Sequence, residues 1–133
     1  MFLKELRSNN KELFLQLSIH AALSNNIIED TQKDVLNLYC EEIGINNYEL
    51  EVKMDLYEIL EKINADTTYR EKKIIILEIM ALIMSDSVYD LDEKKFMEDI
   101  IKKLDISDEV LEEAINLVNK FNLIFNDMIG FIN

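Results

Sequence analysis

The sequence predicts a single all-α domain, residues 1–133, folded as one bundle of six or seven helices with two similar halves. Three observations carry this. The chain has no Pro, no Trp and only Gly44 and Gly130 as glycines, a composition that favours long helices over a turn-rich β fold. Apolar residues recur at helical spacing, and no segment alternates for long enough to argue a strand. Displaced by 61 residues, Ser24–Leu50 falls on Ser85–Leu111 without a gap. Apolar meets apolar at Ile27/Val88, Val35/Phe96, Leu36/Met97, Tyr39/Ile100, Cys40/Ile101 and Ile43/Leu104, while Asn25 meets Asp86 and Glu29 meets Asp90. A chain of 133 residues is long enough to bury one ordinary core.

The elements follow in order. A short piece over Phe2–Arg7 is broken by Ser8-Asn9-Asn10, and a helix over about Lys11–Leu23 turns Leu13, Phe14, Leu17, Ala21 and Ile19 inward. The next helix covers Asp30–Ile43, and Gly44 suits the left-handed residue that ends it. Asn46 stands where a helix start is expected, with Ile45 before it and Leu50 after it as a hydrophobic staple. A less regular helical region then spans Asn47–Ile63, with a break near Lys53–Asp55. Thr68-x-x-Glu71 reads as a capping box for a helix to Met84, apolar on most faces and so central. Leu91–Leu104 forms the following helix. Ser107 then caps the last one, with Asp108 and Glu109 suiting its dipole and Ile106 stapled to Leu111. Along that helix Leu111, Ala114, Val118, Phe121, Phe125, Met128 and Ile132 keep helical spacing.

Composition narrows the function classes. A net charge of −13 repels phosphate backbones and anionic head groups, so no nucleic-acid partner is expected. The longest apolar run, Ile74–Met84, is eleven residues with Glu78 inside it, too short to span a bilayer, so no direct membrane insertion is expected. MFLKELRSNN lacks a signal-peptide core, and the single Cys40 calls for no oxidising compartment; a cytoplasmic location is expected.

The segment SDSVYDLDE, residues 85–93, gathers four carboxylates. One reading is structural: Asp90-x-x-Glu93 caps a helix, Asp92 suits its dipole, and Val88 points into the core as Ile27 does in the other half. The other is a hard-cation site, in which Asp86, Asp90 and Glu93 aim oxygens at one Ca²⁺ or Mg²⁺ ion, Zn²⁺ being less suited to an all-carboxylate set. It is not an EF-hand, because the sixth position from Asp86 is Leu91 and the twelfth is Met97.

The run ALIMSDSVYDLDEKKFMEDIIKKLDISDEVLEEA resembles the TerB-like domains, the tellurite-resistance protein B group also found at the N-terminus of some membrane-anchored J-domain co-chaperones. Asp86 takes the place of that family's Asp, Ser87 of its Gly, Glu93 of its helix-opening Glu, and Leu104-Asp105-Ile106-Ser107 of its turn. The first half is a worn copy, with Asn25-Asn26 for Asp-Gly, Gln32 for Glu, and Ile43-Gly44-Ile45-Asn46 for the turn. The likeness covers roughly Phe14 to Phe121. It implies an all-helical fold with two related halves, acidic residues proposed to bind a divalent metal, and a role in stress-response assemblies at the membrane. The chain has no J-domain His-Pro-Asp motif.

Enzymatic activity is not expected. His20 is the only histidine and has only Ser24, one turn on, as a candidate nucleophile. Cys40 lies on an apolar face with no basic neighbour to activate it, and two distant glycines make no phosphate loop. The tail FNLIFNDMIGFIN has two readings. It packs on this domain's own core, or its wide apolar stripe meets a protein partner or a second copy of the chain.

Overall fold

A computed structural model describes residues 1–86 and 88–133. Among the described residues it is all helical: α1 Ser8–Ala22, α2 Asp30–Ile43, α3 Leu56–Asp66, α4 Tyr69–Ile83, α5 Leu91–Lys103 and α6 Asp108–Ile132, with 3₁₀ turns at Leu3–Glu5 and Met84–Asp86. None of these helices is long and apolar enough to cross a membrane. The expected all-α bundle is therefore what the chain forms, with six α-helices.

The core is built around α1 and α4. Phe14, Leu15, Leu17 and Ile19 of α1, and Ile75, Ile76, Ile79 and Met80 of α4, are fully buried. The central place expected for α4 is thus shared: α1 is buried on nearly every face, Gln16 and Ser18 included. Such burial is possible because Ser18 Oγ donates to the Phe14 carbonyl and Gln16 is fully hydrogen-bonded, so neither of these two buried side chains is left unpaired.

Hydrogen bonds repeat at the 61-residue offset. The αL residue ending α2 is Gly44, φ 77°, and its counterpart Asp105 has φ 56°. Ile45 N–H donates to the Cys40 carbonyl at 2.9 Å and Ile106 N–H to Ile101 at 2.8 Å. Ser24 Oγ donates to Ala21 and Ser85 Oγ to Leu82, both at 2.7 Å. The offset also carries the start and end of α1, Ser8 and Ala22, onto those of α4, Tyr69 and Ile83. The doubled unit is therefore larger than the sequence pattern showed, because it includes the two central helices.

The doubling stops after Ile45 and Ile106. The helix start expected at Asn46 does not form; Asn47 takes a left-handed φ of 55° and residues 45–55 run without helix. Gln16 holds that segment instead. Its Oε1 accepts from the Lys53 and Met54 amides at 2.8 and 3.1 Å, and its Nε2 donates to Tyr48 Oη and the Glu51 carbonyl. α3 begins only at Leu56, where Asp55 accepts from the Tyr57 and Glu58 amides. The break expected at Ser8-Asn9-Asn10 is also absent: these residues are the first turn of α1. Glu71 is the reason. It accepts from the Arg7 amide at 3.2 Å and from Asn10 Nδ2 at 3.0 Å, and so fixes the start of α1 against the start of α4.

Candidate functional site

The carboxylate segment sits where α4 runs through the turn Met84–Asp86 into α5, facing the equivalent joint between α1 and α2. Asp90 caps α5, its Oδ1 accepting from the Glu93 amide at 2.8 Å, and Glu93 Oε1 accepts from the Asp90 amide at 3.0 Å. This reciprocal box satisfies two of the donors a helix start leaves orphaned. Asp86 Oδ1 accepts from the Val88 amide at 3.0 Å, closing a turn. The first joint copies this: Glu29 and Gln32 form the box on α2, and Asn25 Oδ1 accepts from Ile27. Asn26 takes φ 72°; its counterpart Ser87 lies outside the described residues.

The two joints meet. Asn25 Nδ2 donates to Asp90 Oδ2 at 3.0 Å, and Gln32 Nε2 to Glu93 Oε2 at 3.5 Å. Gln32 and Glu93 are equivalent positions of the two halves, as are Asn10 and Glu71, which also touch. A residue that contacts its own mate lies on the axis relating the halves, so these two buried pairs mark that axis. In the sequence Asn25 and Gln32 stand only as neutral replacements for the acids Asp86 and Glu93. In the fold they supply amide donors to the very carboxylates that remain.

The electrostatics follow from this packing. Burial, then the charges of Asp90 and Asp86, push the fully buried Glu93 carboxyl above the usual range, against the Asp90 amide and Gln32. Asp90 is held below its usual range by the Glu93 amide and by Asn25. The structure brings Asp90 and Glu93 together, with Asp86 close enough to repel Glu93. Five of the six carboxylate oxygens already accept protein hydrogen bonds, Glu93 Oε2 from Gln32 at the long end of the range. Among the described residues no group of three or more His, Cys, Asp or Glu side chains is arranged to hold a metal ion.

One local expectation fails. Val88 and Ile27 are 55% and 61% exposed, not in the core. Tyr89 and Ile28 pack inward instead. In an extended segment side chains alternate faces, so an error of one residue reverses the assignment. Burial raises the Tyr89 hydroxyl to about 12, with Glu98, Glu93 and Glu112 adding to it.

The remaining candidates resolve simply. His20 Nε2 donates to the Met54 carbonyl at 2.8 Å, tying α1 to the segment before α3, and the Ser24 hydroxyl points at Ala21. Cys40 is buried, which raises its thiol. The tail does not pack on this chain's core beyond Val118. Phe121, Leu123, Ile124, Phe125, Met128, Ile129, Phe131 and Ile132 are each 41–90% exposed, and the stacking partner of Phe121 is Phe125 of its own helix, ring centroids 6.3 Å apart. No protein-family model, curated protein or solved structure matches the chain.

Proposed function

We propose that this chain is a non-enzymatic protein-interaction module whose working surface is the apolar face of α6. The observation that carries it is the uncovered second half of that helix. Eight large apolar side chains between Leu117 and Ile132 that share its apolar arc are each at least 41% exposed. At about 200 Å² for a full large side chain, they hold roughly 1,000 Å² of apolar surface, beyond the ~300–600 Å² of the largest patch on a typical monomer. The resemblance to TerB-like domains supports the same class of role, an adaptor in stress-response assemblies. A cytoplasmic setting suits the lone buried thiol of Cys40. Affinity capture from cell extract tests the reading. Partners retained by wild type and by Asp86→Ala but lost by Ile124→Asp/Phe131→Asp support it; the same partners on all three remove α6 as the working surface.

A second reading rests on Glu93. Its carboxyl is buried and repelled by Asp90 and Asp86, and a Ca²⁺ or Mg²⁺ ion held by Asp86, Asp90 and Glu93 would relieve that repulsion while displacing the Asn25 and Gln32 amides. By fixing the angle between α4 and α5, such an ion would reshape the surface offered to a partner. Titration calorimetry with each ion, on wild type and Asp86→Ala, decides it. Heat and thermal stabilisation confined to wild type favour the ion; none for either protein excludes it.

A further inference from the structure

Resting on α6 as the working surface, we infer that its occupant is a second copy of this chain, laid antiparallel along α6, with Phe131 of each copy entering the groove beside Ala114 of the other.

The spacing of the seam is the first argument. Ala114, Leu117, Phe121, Ile124, Met128 and Phe131 follow one another at alternating steps of three and four. That is the spacing of a coiled-coil seam, and a helix with such a row buries it against another helix. In this chain the row starts in contact with α4 and then runs on past the domain with nothing against it: Ala114 is 7% exposed, Leu117 49% and Phe131 90%.

The second argument is shape. Where the row starts, α4 and α6 leave a groove of about 480 Å³ between Tyr69, Lys73 and Leu77 on one side and Val110, Ala114 and Leu117 on the other. It is continuous with the exposed stripe. Turn a second α6 antiparallel, with the two-fold axis between Phe121 and Ile124. Ile124 then faces Phe121, Met128 faces Leu117, and Phe131, the most exposed large apolar residue of the chain, faces Ala114, the smallest residue of the row. Ala114 and Phe131 lie ~25 Å apart along one helix at about 1.5 Å per residue. One copy's Phe131 therefore cannot reach its own groove, and each fills the other's. The contact closes on itself as a two-fold interface, leaving no open end for further growth.

The third argument is charge. In a chain of net charge −13, residues 121–133 carry a single charged side chain, Asp127, so the end that each copy lays over the acid-bearing first half of the other's α6 adds only one acid there. Lys120 and Asp127 stand seven residues apart at the same edge of the row, and neither makes an ion pair among the described residues. The antiparallel order sets Lys120 of each copy beside Asp127 of the other. The parallel order would not. The row itself exposes roughly 600 Å² of apolar surface, and Phe125, Ile129 and Ile132 beside it bring the stripe to roughly 1,000 Å², of the order of the ~800 Å² per partner of a specific protein interface.

Sedimentation velocity on the full chain, from micromolar to near-millimolar concentration, tests the inference. The expected result is a reversible monomer–dimer equilibrium with three signatures. Phe131→Ala, at an exposed position, weakens dimerisation at least ~100-fold, with an unchanged thermal melt in dilute solution where both proteins are monomeric. Lys120→Glu and Asp127→Lys each weaken it about tenfold by placing like charges together. The doubly swapped Lys120→Glu/Asp127→Lys protein recovers the wild-type association. A wild type that stays monomeric, a dimer indifferent to Phe131→Ala, or a double swap that fails to recover overturns the second copy as occupant. If the wild type is monomeric yet its captured partners still depend on Ile124 and Phe131, only this inference fails. If capture is also independent of those residues, the interaction reading fails with it.

Discussion

Glu71 offers the sharpest test of how the two halves are joined. Its carboxylate is 5% exposed, and burial alone would raise its pKa. The Arg7 amide, Asn10 Nδ2, the Arg7 guanidinium and the Thr68 amide together override burial and hold it at about 2, below the ordinary 4.5. A difference of that size corresponds to at most about 3 kcal/mol favouring the folded, ionised form. Arg7 is 58% exposed on its side chain, so solvent screens part of this and about 2 kcal/mol is the working figure. Glu71→Gln keeps the shape, removes the charge and sets an NH₂ against donors. It should cost about 2 kcal/mol at neutral pH.

The pH dependence gives the sign. A depressed carboxyl contributes its stability in full above about 4.5 and loses it as pH falls towards about 2. Glu78 and Glu93, raised chiefly by burial, act oppositely: their folded forms bind protons first, so acid relieves a penalty they impose at neutral pH. Comparing wild type with Glu71→Gln cancels those two. Urea unfolding followed by far-ultraviolet circular dichroism, at constant salt and stepped pH, should show the gap between the proteins closing between about 4.5 and 2. A gap of constant size across that window would refute the role given to Glu71.

Other expectations can be checked by the same unfolding assay. A Cβ at Gly44 meets nothing within 4 Å, but φ is 77°, so Gly44→Ala should cost about 1 kcal/mol from backbone strain alone. Asp105 takes the equivalent left-handed conformation without being glycine, and Asp105→Gly should leave stability unchanged or raise it by up to about 0.5 kcal/mol; equal losses at both sites would break the equivalence of the two turns. Ile79 is fully buried in α4, so Ile79→Ala should lose about 2–5 kcal/mol, a large share of a domain's ~5–15 kcal/mol. Ser107 Oγ accepts from the Val110 amide at the start of α6, and Ser107→Ala should lose about 1 kcal/mol while Ser107→Asp loses almost none; a larger loss from the Asp variant would mean the cap is not electrostatic in kind.

Much of the fold was legible because its signals are local. Gly44 stopping α2, Thr68-x-x-Glu71 opening α4 and Asp90-x-x-Glu93 opening α5 each need only a few neighbouring residues, and all three stand in the structure. The failures share a cause: distant partners decided them. Residues 45–55 stay out of a helix because Gln16, on another element, takes the Lys53 and Met54 amides and the Glu51 carbonyl. Ser8-Asn9-Asn10 joins α1 because Glu71, the repeat-mate of Asn10, accepts from Arg7 and Asn10. The 61-residue offset pairs Gln32 with Glu93 and Asn10 with Glu71, but no local signal says that such mates touch. At the carboxylate joint, the capping roles of Asp90 and Glu93 were legible. What was not is that Asn25 and Gln32 reach across from the other half to serve them. For α6 the apolar pattern showed a face but could not show where the domain's own core ends along it, which is at Val118.

Amide hydrogen exchange along α6, measured on the full chain at low and at high concentration, tests the central claim most directly. Helical amides of 121–132 should exchange readily in dilute solution, where nothing packs on them, and become protected as concentration rises, far more than those of α1, which lies away from the seam. Protection over 121–132 that is the same at both concentrations would contradict the account.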